Sequence, residues 1–173
     1  MADEIRFWTT VGSAGTLGAA DLAKVTLDNA VIRLGVDIVP PEASAPAADP
    51  SIVIPPATAV ARYNVTPVDG LFPSVPFHYV LQVTYRGAVR ARLVQFDLSG
   101  GVETDLLRFD SADFLPAPSF VTHQVATTDL SSPMDFINFA FYVEATLSAS
   151  AIVAGNPAEI AVIKVFPSPD FHG

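Results

Sequence analysis

Apolar and polar residues alternate along much of this chain, most clearly from Phe136 to Ser150, FINFAFYVEATLSAS. Ile137, Phe139, Phe141, Val143, Ala145 and Leu147 make one row; Asn138, Ala140, Tyr142, Glu144, Thr146 and Ser148 make the other. Successive side chains of a strand point to opposite faces, so this period of two predicts a strand over 137–147. The Ile137 row should face a core about 10 Å from an opposing sheet. The Tyr142 row should face outward, as ordinary half-polar surface, as a subunit contact or as a ligand shelf.

The same pattern recurs in shorter runs. A first strand is expected over 4–10, with Ile5 and Phe7 on one face and Trp8 on the other. Residues 22–34 read as two short strands about Asp28-Asn29 rather than as one helix, because β-branched residues dominate there. Further strands are expected over 60–65 and 78–86, where Tyr79, Leu81, Val83 and Tyr85 share a phase. From Val89 to Leu98 the apolar phase switches between Leu93 and Val94, as at a bulge. Ser99-Gly100-Gly101 predicts a hairpin loop, because glycine supplies the positive φ such loops require. The run 102–109 is more polar and reads as near an edge; strands over 120–128 and 151–153 follow. Residues 159–166 are nearly all apolar, so that strand is buried on both faces, or on one face with another chain docked on the other.

Fifteen prolines and ten glycines fall between these runs, and helical periodicity is scarce. The class is therefore all-β: an antiparallel, jelly-roll-like β-sandwich of about eight strands. Proline pairs at 40–41 and 55–56 bracket an Ala/Pro-rich segment, which predicts extended chain. It reads as a linker to an N-terminal arm or as a long surface loop whose centre, Ser51-Ile52-Val53-Ile54, pairs as an edge strand. That apolar centre favours docking. The organisation is one structural domain, with strands and a proline-rich arm over 1–57 and the sandwich core over 58–173.

Composition narrows the function. Half the residues are hydrophobic and 16% are charged, below the roughly one quarter of ordinary domains. A partner covering some of the surface would account for the deficit. The net charge of −9 repels phosphate backbones. The one basic grouping, Arg86, Arg90 and Arg92, reads as a solvated strand face or as partners for carboxylates, so no nucleic-acid partner is expected. With no cysteine, thiolate metal sites, disulfides and cysteine nucleophiles are excluded. The start, MADEIRFWTT, has no apolar run, and no window approaches the roughly 18 apolar residues of a membrane helix. The expectation is cytoplasmic synthesis without a signal peptide and without membrane insertion, with later particle association or non-classical release open. Asn64-Val65-Thr66 matches a glycosylation sequon, but Pro67 follows it and no signal precedes it.

Catalytic motifs are absent. Gly12, Gly15 and Gly18 lack the spacing of a dinucleotide-binding turn, and Gly12-Ser13-Ala14-Gly15 lacks that of a nucleophile elbow. His78, His123 and His172 are too far apart in sequence for one zinc-binding element. Eighteen acids allow many carboxylate pairs for glycoside hydrolysis, and spacing singles out none. No catalytic residue is assigned. A β-sandwich hydrolase with loop-borne groups is a third option.

Two functional expectations follow. The first is a non-enzymatic, self-associating structural protein, a homo-oligomeric subunit of a fibre, shell or phage-like particle. Its contacts would involve Pro40, Pro41, Ile52, Val53, Ile54, Ile160, Val162 and Phe166. The alternative is a carbohydrate-binding or adhesion module of jelly-roll type. Its glycan would meet Trp8, Tyr142, Glu144, Tyr63 and Tyr85, and a structural calcium, the one cofactor admitted, would sit at Asp110 and Asp113 with Ser111, or else at Asp97, Glu103 and Asp105 near the hairpin. Turn-forming aspartates explain the same residues without metal.

Overall fold

The computed structural model of the chain describes residues 8–35, 58–67, 77–129, 134–149 and 157–168. Among these residues there are eleven strands. The first four are short: β1 (Trp8–Val11), β2 (Thr16–Leu17), β3 (Val25–Asp28) and β4 (Val31–Leu34). The rest are β5 (Thr58–Val65), β6 (His78–Arg86), β7 (Ala88–Asp97), β8 (Glu103–Asp110), β9 (Val121–Ala126), β10 (Phe139–Ser148) and β11 (Glu159–Ser168). One four-residue helix, α1 (Ala19–Leu22), precedes β3. No helix among the described residues is long and apolar enough to cross a membrane.

The topology can be built from one hairpin. Asp97 turns the chain between β7 and β8: its carboxylate accepts from the backbone N–H groups of Ser99 and Gly100, and Gly101 supplies φ +68°. Working outward from that turn, β7 pairs with β8, β6 with β9, β5 with β10 and β4 with β11, all antiparallel. Successive pairs alternate between two sheets, and β10–β7 and β11–β6 close them laterally. This winding of eight strands is a jelly roll, with β1, β2 and β3 added at its margins. The five-stranded sheet runs β2-β5-β10-β7-β8. The six-stranded sheet runs β3-β4-β11-β6-β9, with β1 also paired to β11. The chain crosses from one sheet to the other between β6 and β7 through Gly87, at φ +74°.

The core lies between the sheets. Tyr79, Leu81, Val83 and Tyr85 of β6 and Ile160, Ile163 and Val165 of β11 face Ala59, Ala61 and Tyr63 of β5 and Phe141, Val143, Ala145 and Leu147 of β10. Ala145 pairs with Ala61 on one side and Ala91 on the other. This row of small residues accommodates large side chains from the other sheet, so the two layers interdigitate.

Several expectations are corrected here. Ile137 does not join the core row: it is 87% exposed, in a turn before β10. Asp135 accepts from the backbone N–H of Ile137 and Asn138, and this local turn prevails over the alternation. The phase switch in β7 does mark a bulge, but β7 stays in continuous register with β10; the extra residue is Leu106 of β8. The largely apolar β11 is interior to its sheet, flanked by β6 on one side and by β4 and β1 on the other. The expectations on Pro40, Pro41, Ile52, Val53 and Ile54 and on 151–153 lie outside the described residues.

Candidate functional site

The register of the five-stranded sheet gathers charge on its outer face. Glu144, on the central strand β10, lies between Arg62 of β5 and Arg92 of β7, and Arg92 lies opposite Arg108 of β8. Glu144 accepts from Arg62 Nε at 2.8 Å with one oxygen and from Arg92 Nε at 2.8 Å with the other. Arg92 also reaches Asp105 at 2.9 Å and Glu103 at 3.2 Å. Arg108 Nε donates to Asp105 at 2.7 Å and Arg90 Nε to Asp110 at 2.7 Å. Tyr142, next to Glu144 on the same face, donates to Glu103 at 2.5 Å, and the guanidinium of Arg62 lies 5.3 Å from its ring centre.

The bulge shapes this face. Residues three apart in a regular strand point to opposite faces. The extra Leu106 reverses the phase, so Asp105 and Arg108 both face outward and bond to each other. Without Asp105, Arg92 and Arg108 would be like charges directly opposite each other, a destabilising arrangement.

Donors and acceptors are distributed unequally. Both carboxylate oxygens of Glu103, Asp105, Asp110 and Glu144 have partners, that of Asp110 Oδ1 being the N–H of Ala112. Arg62, Arg90 and Arg108 are each held through Nε alone, and their terminal Nη atoms have no partner among the described residues. Glu144 and Asp105 lie deepest, with side chains 14% and 15% exposed; Arg92, Asp110 and Glu103 are intermediate at 31%, 32% and 37%, and Arg62, Arg90 and Arg108 stand out at 55%, 72% and 81%. The face thus has an anionic floor and a cationic, donor-rich outer layer. Two shallow hollows flank Glu144. One of ≈ 470 Å³ lies over β7 and β8; the other, of ≈ 540 Å³, is bounded by Thr16, Asp21 and Arg62.

Titration follows this geometry. Burial pushes the Glu144 carboxyl up, but the hydrogen bonds and charges of Arg92 and Arg62 outweigh it and hold the group below its ordinary value. The same contact with Glu144 raises Arg92. Burial, then Glu103, pushes the Tyr142 phenol up to about 12. A carboxyl depressed in the folded state adds stability above its unfolded pKa, roughly pH 4.3, and loses that contribution as pH falls through the folded value. The difference in melting temperature between wild type and Glu144→Gln is therefore expected to be constant at neutral pH and to shrink below that point. A constant difference down to pH 2.5 (on the order of two units below the unfolded pKa) would contradict the ion-pair assignment.

Of the residues read from sequence as ligand contacts, Tyr142 and Glu144 lie together at the centre of this face. The other three do not. Trp8 is 7%, Tyr63 2% and Tyr85 0% exposed. Trp8 pairs with Val165 on the core side, Tyr63 donates to the carbonyl of Gly12 at 2.8 Å, and the Tyr85 hydroxyl lies 3.0 Å from His123 Nδ1. None presents a ring to solvent. Both oxygens of Asp110 are committed as above, Asp113 is exposed in a 3-10 turn (Ser111–Asp113), and no group of three or more metal-ligating side chains occurs among the described residues. Ile160, read as an assembly contact, is wholly buried in the core, whereas Val162 and Phe166 are half-buried on the outer face of the other sheet. Arg86 is separated from Arg90 and Arg92 by the crossing at Gly87 and pairs instead with Glu159. Arg62 and Arg108 were not singled out from sequence, and Glu103 and Asp105 were read only as calcium ligands; here their oxygens are taken by Arg92, Arg108 and Tyr142. The signal of all four is charge at alternate positions of neighbouring strands, and it emerges only once strand pairing is known.

No family model matches the chain, and no curated protein matches it. Among solved structures, it is similar to one described as "BiXyn10A CBM1 APO", at 13% identity and a TM-score of 0.33, over 96% of this chain and 93% of that one. A likeness at that identity and score carries no argument about function.

Proposed function

We propose that this protein is a non-catalytic binding module that holds a carbohydrate chain on the outer face of its five-stranded sheet. The observation that carries this reading is the unequal use of donors and acceptors: every carboxylate oxygen of Glu103, Asp105, Asp110 and Glu144 already has a partner, whereas the exposed Nη ends of Arg62, Arg90 and Arg108 have none among the described residues. A sugar chain offers closely spaced oxygen acceptors and needs donors on a rigid frame. Tethering each guanidinium through Nε lowers the ordering cost of binding. The two hollows fall within the usual size range of ligand clefts. Glycoside hydrolysis usually requires a carboxyl kept protonated as general acid. Glu144, the acid best placed between the hollows, has both oxygens held by arginines and is not kept protonated as a general acid would be.

The reading is tested by screening immobilised glycans against wild type, Arg62→Ala and Arg108→Ala, with Gln82→Ala as control. Gln82 pairs with Gln124 on the outer face of the opposite sheet. Each arginine variant is expected to weaken binding about tenfold, since a hydrogen bond to a charged group is worth about 1.5–3 kcal/mol, and the control should bind normally. Loss of binding in Gln82→Ala with the arginine variants unaffected would move the site to the other sheet and overturn the proposal.

Self-association rests on a different observation. On the outer face of the six-stranded sheet, Val11 is 40% exposed and pairs with Val162, and Phe166 lies four residues further along β11. These apolar side chains, with Lys164 between Val162 and Phe166 on the same face, make a mixed surface of the kind a second copy of the chain would cover. Light scattering behind a sizing column should then show a species that grows with concentration. A mass of 18.3 kDa at every concentration would remove this reading.

A further inference from the structure

We infer that the carbohydrate is acidic, and that Arg90 and Arg108 together take its carboxylate or sulfate groups. This rests on the binding reading above and specifies its ligand. Arg90 pairs with Asp110 and Arg92 with Arg108, so Arg90 and Arg108 are diagonal neighbours on β7 and β8, a separation of about 7–8 Å. Both line the ≈ 470 Å³ hollow. Asp110 and Asp105 fix their Nε atoms, leaving the Nη edges clear of the sheet. An Nη pair matches two oxygens of an oxyanion, and charge-assisted bonds of this kind are roughly twice as strong as neutral ones.

The charge distribution points the same way. The chain carries −9 overall, whereas on this face four of its nine basic residues, Arg62, Arg90, Arg92 and Arg108, balance four acids, Glu103, Asp105, Asp110 and Glu144. A polyanion repelled elsewhere meets here the guanidinium ends of Arg90 and Arg108, which stand further out than the acids that hold them, Asp110 and Asp105. The second hollow, with the free end of Arg62, lies across Glu144, so a chain with repeated acidic groups engages both sides.

A peptide docks by adding a strand at a sheet edge, by seating apolar anchors in a groove, or by offering acidic groups to an arginine cluster; polyglutamate, among the probes below, tests the last of these. This hollow lies over already paired backbone. The two apolar residues that line it, Ala91 and Phe109, are only 4% and 2% exposed and offer little surface for an anchor.

The test is calorimetric titration of the full chain at low and high salt. The probes are oligogalacturonate, its methyl ester (the same backbone without charge), a sulfated galactan, a neutral galactan and polyglutamate. Oligogalacturonate or the sulfated galactan should bind, and whichever binds identifies the oxyanion. Affinity should fall at least tenfold in the Arg90→Gln/Arg108→Gln double variant and with the ester, and should weaken with salt. Both arginines are exposed, so the double variant should melt close to wild type. Equal binding of acid and ester, unchanged in the double variant, would overturn the acidic ligand while leaving carbohydrate binding intact. Polyglutamate binding as tightly would show that charge alone is read and would also overturn it. Failure of every glycan would remove the binding reading and this inference together.

Discussion

Gly12→Ala is expected to lower the melting temperature by about 6–12 °C. Gly12 opens the 3-10 turn after β1, where the chain passes from one sheet toward the other. A Cβ there would stand 1.9 Å from the carbonyl oxygen of Ile160 and 2.9 Å from the backbone nitrogen of Ile32. The obstacles are the main chains of β11 and β4, which cannot rotate away as a side chain can. On the far side, the carbonyl of Gly12 accepts from the buried hydroxyl of Tyr63 in the five-stranded sheet. Burial raises the Tyr63 phenol, which therefore remains a donor at any physiological pH. Relief of the clash must move the glycine or separate β11 from β4, so the cost lies at the upper end for overpacking, about 3 kcal/mol. Thermal unfolding followed by circular dichroism measures it. A shift within about 2 °C would show that the turn relaxes without disturbing either sheet.

Glu159→Ala is the second large loss, about 3 kcal/mol in urea unfolding. Glu159 is a charged residue only 1% exposed. One of its oxygens accepts from Arg33 Nε of β4 and, at 2.6 Å, from Arg86 Nη2 of β6. These three adjacent strands are thereby joined on the outer face of the six-stranded sheet. Removing the carboxylate leaves two guanidiniums side by side. Arg33 and Arg86 are 47% and 26% exposed, so water recovers some of the loss and holds it to the lower end of the range for buried pairs. A loss below about 1 kcal/mol would place this contact with ordinary surface bridges. Glycan binding, on the opposite face, should be unchanged in folded Glu159→Ala protein.

The alternation in HYVLQVTYR located β6 with its observed ends, and two runs of β-branched residues located β3 and β4, joined through Asn29 and Ala30 at positive φ. Those signals are local, carried by side-chain period and turn chemistry. The site is not local. Glu144 was legible as an outward residue on the strongest strand, but its partners come from residues 62 and 92, which only the winding of the hairpin brings beside it. The phase switch at Leu93 and Val94 was visible; that the extra residue belongs to β8, and so turns Asp105 toward Arg108, depends on pairing with two neighbours at once. Trp8, Tyr63 and Tyr85 resemble ligand platforms by residue type, yet their strand phases direct the rings inward, and the hydroxyls of the two tyrosines are satisfied from within.

The outward row of β10 thus has a physical role whether or not a ligand is bound: Glu144 and Tyr142 tie four strands together through arginines and acids. Function on this account comes from the donor ends which that arrangement leaves over. The central claim is that a sugar chain lies on this face, and the most direct measurement is amide chemical-shift mapping of labelled protein titrated with oligogalacturonate. The largest changes should fall on outward positions of β5, β7, β8 and β10, around Arg62, Arg92, Arg108 and Glu144. Changes concentrated on β6, β9 and β11, with the five-stranded sheet unmoved, would contradict it.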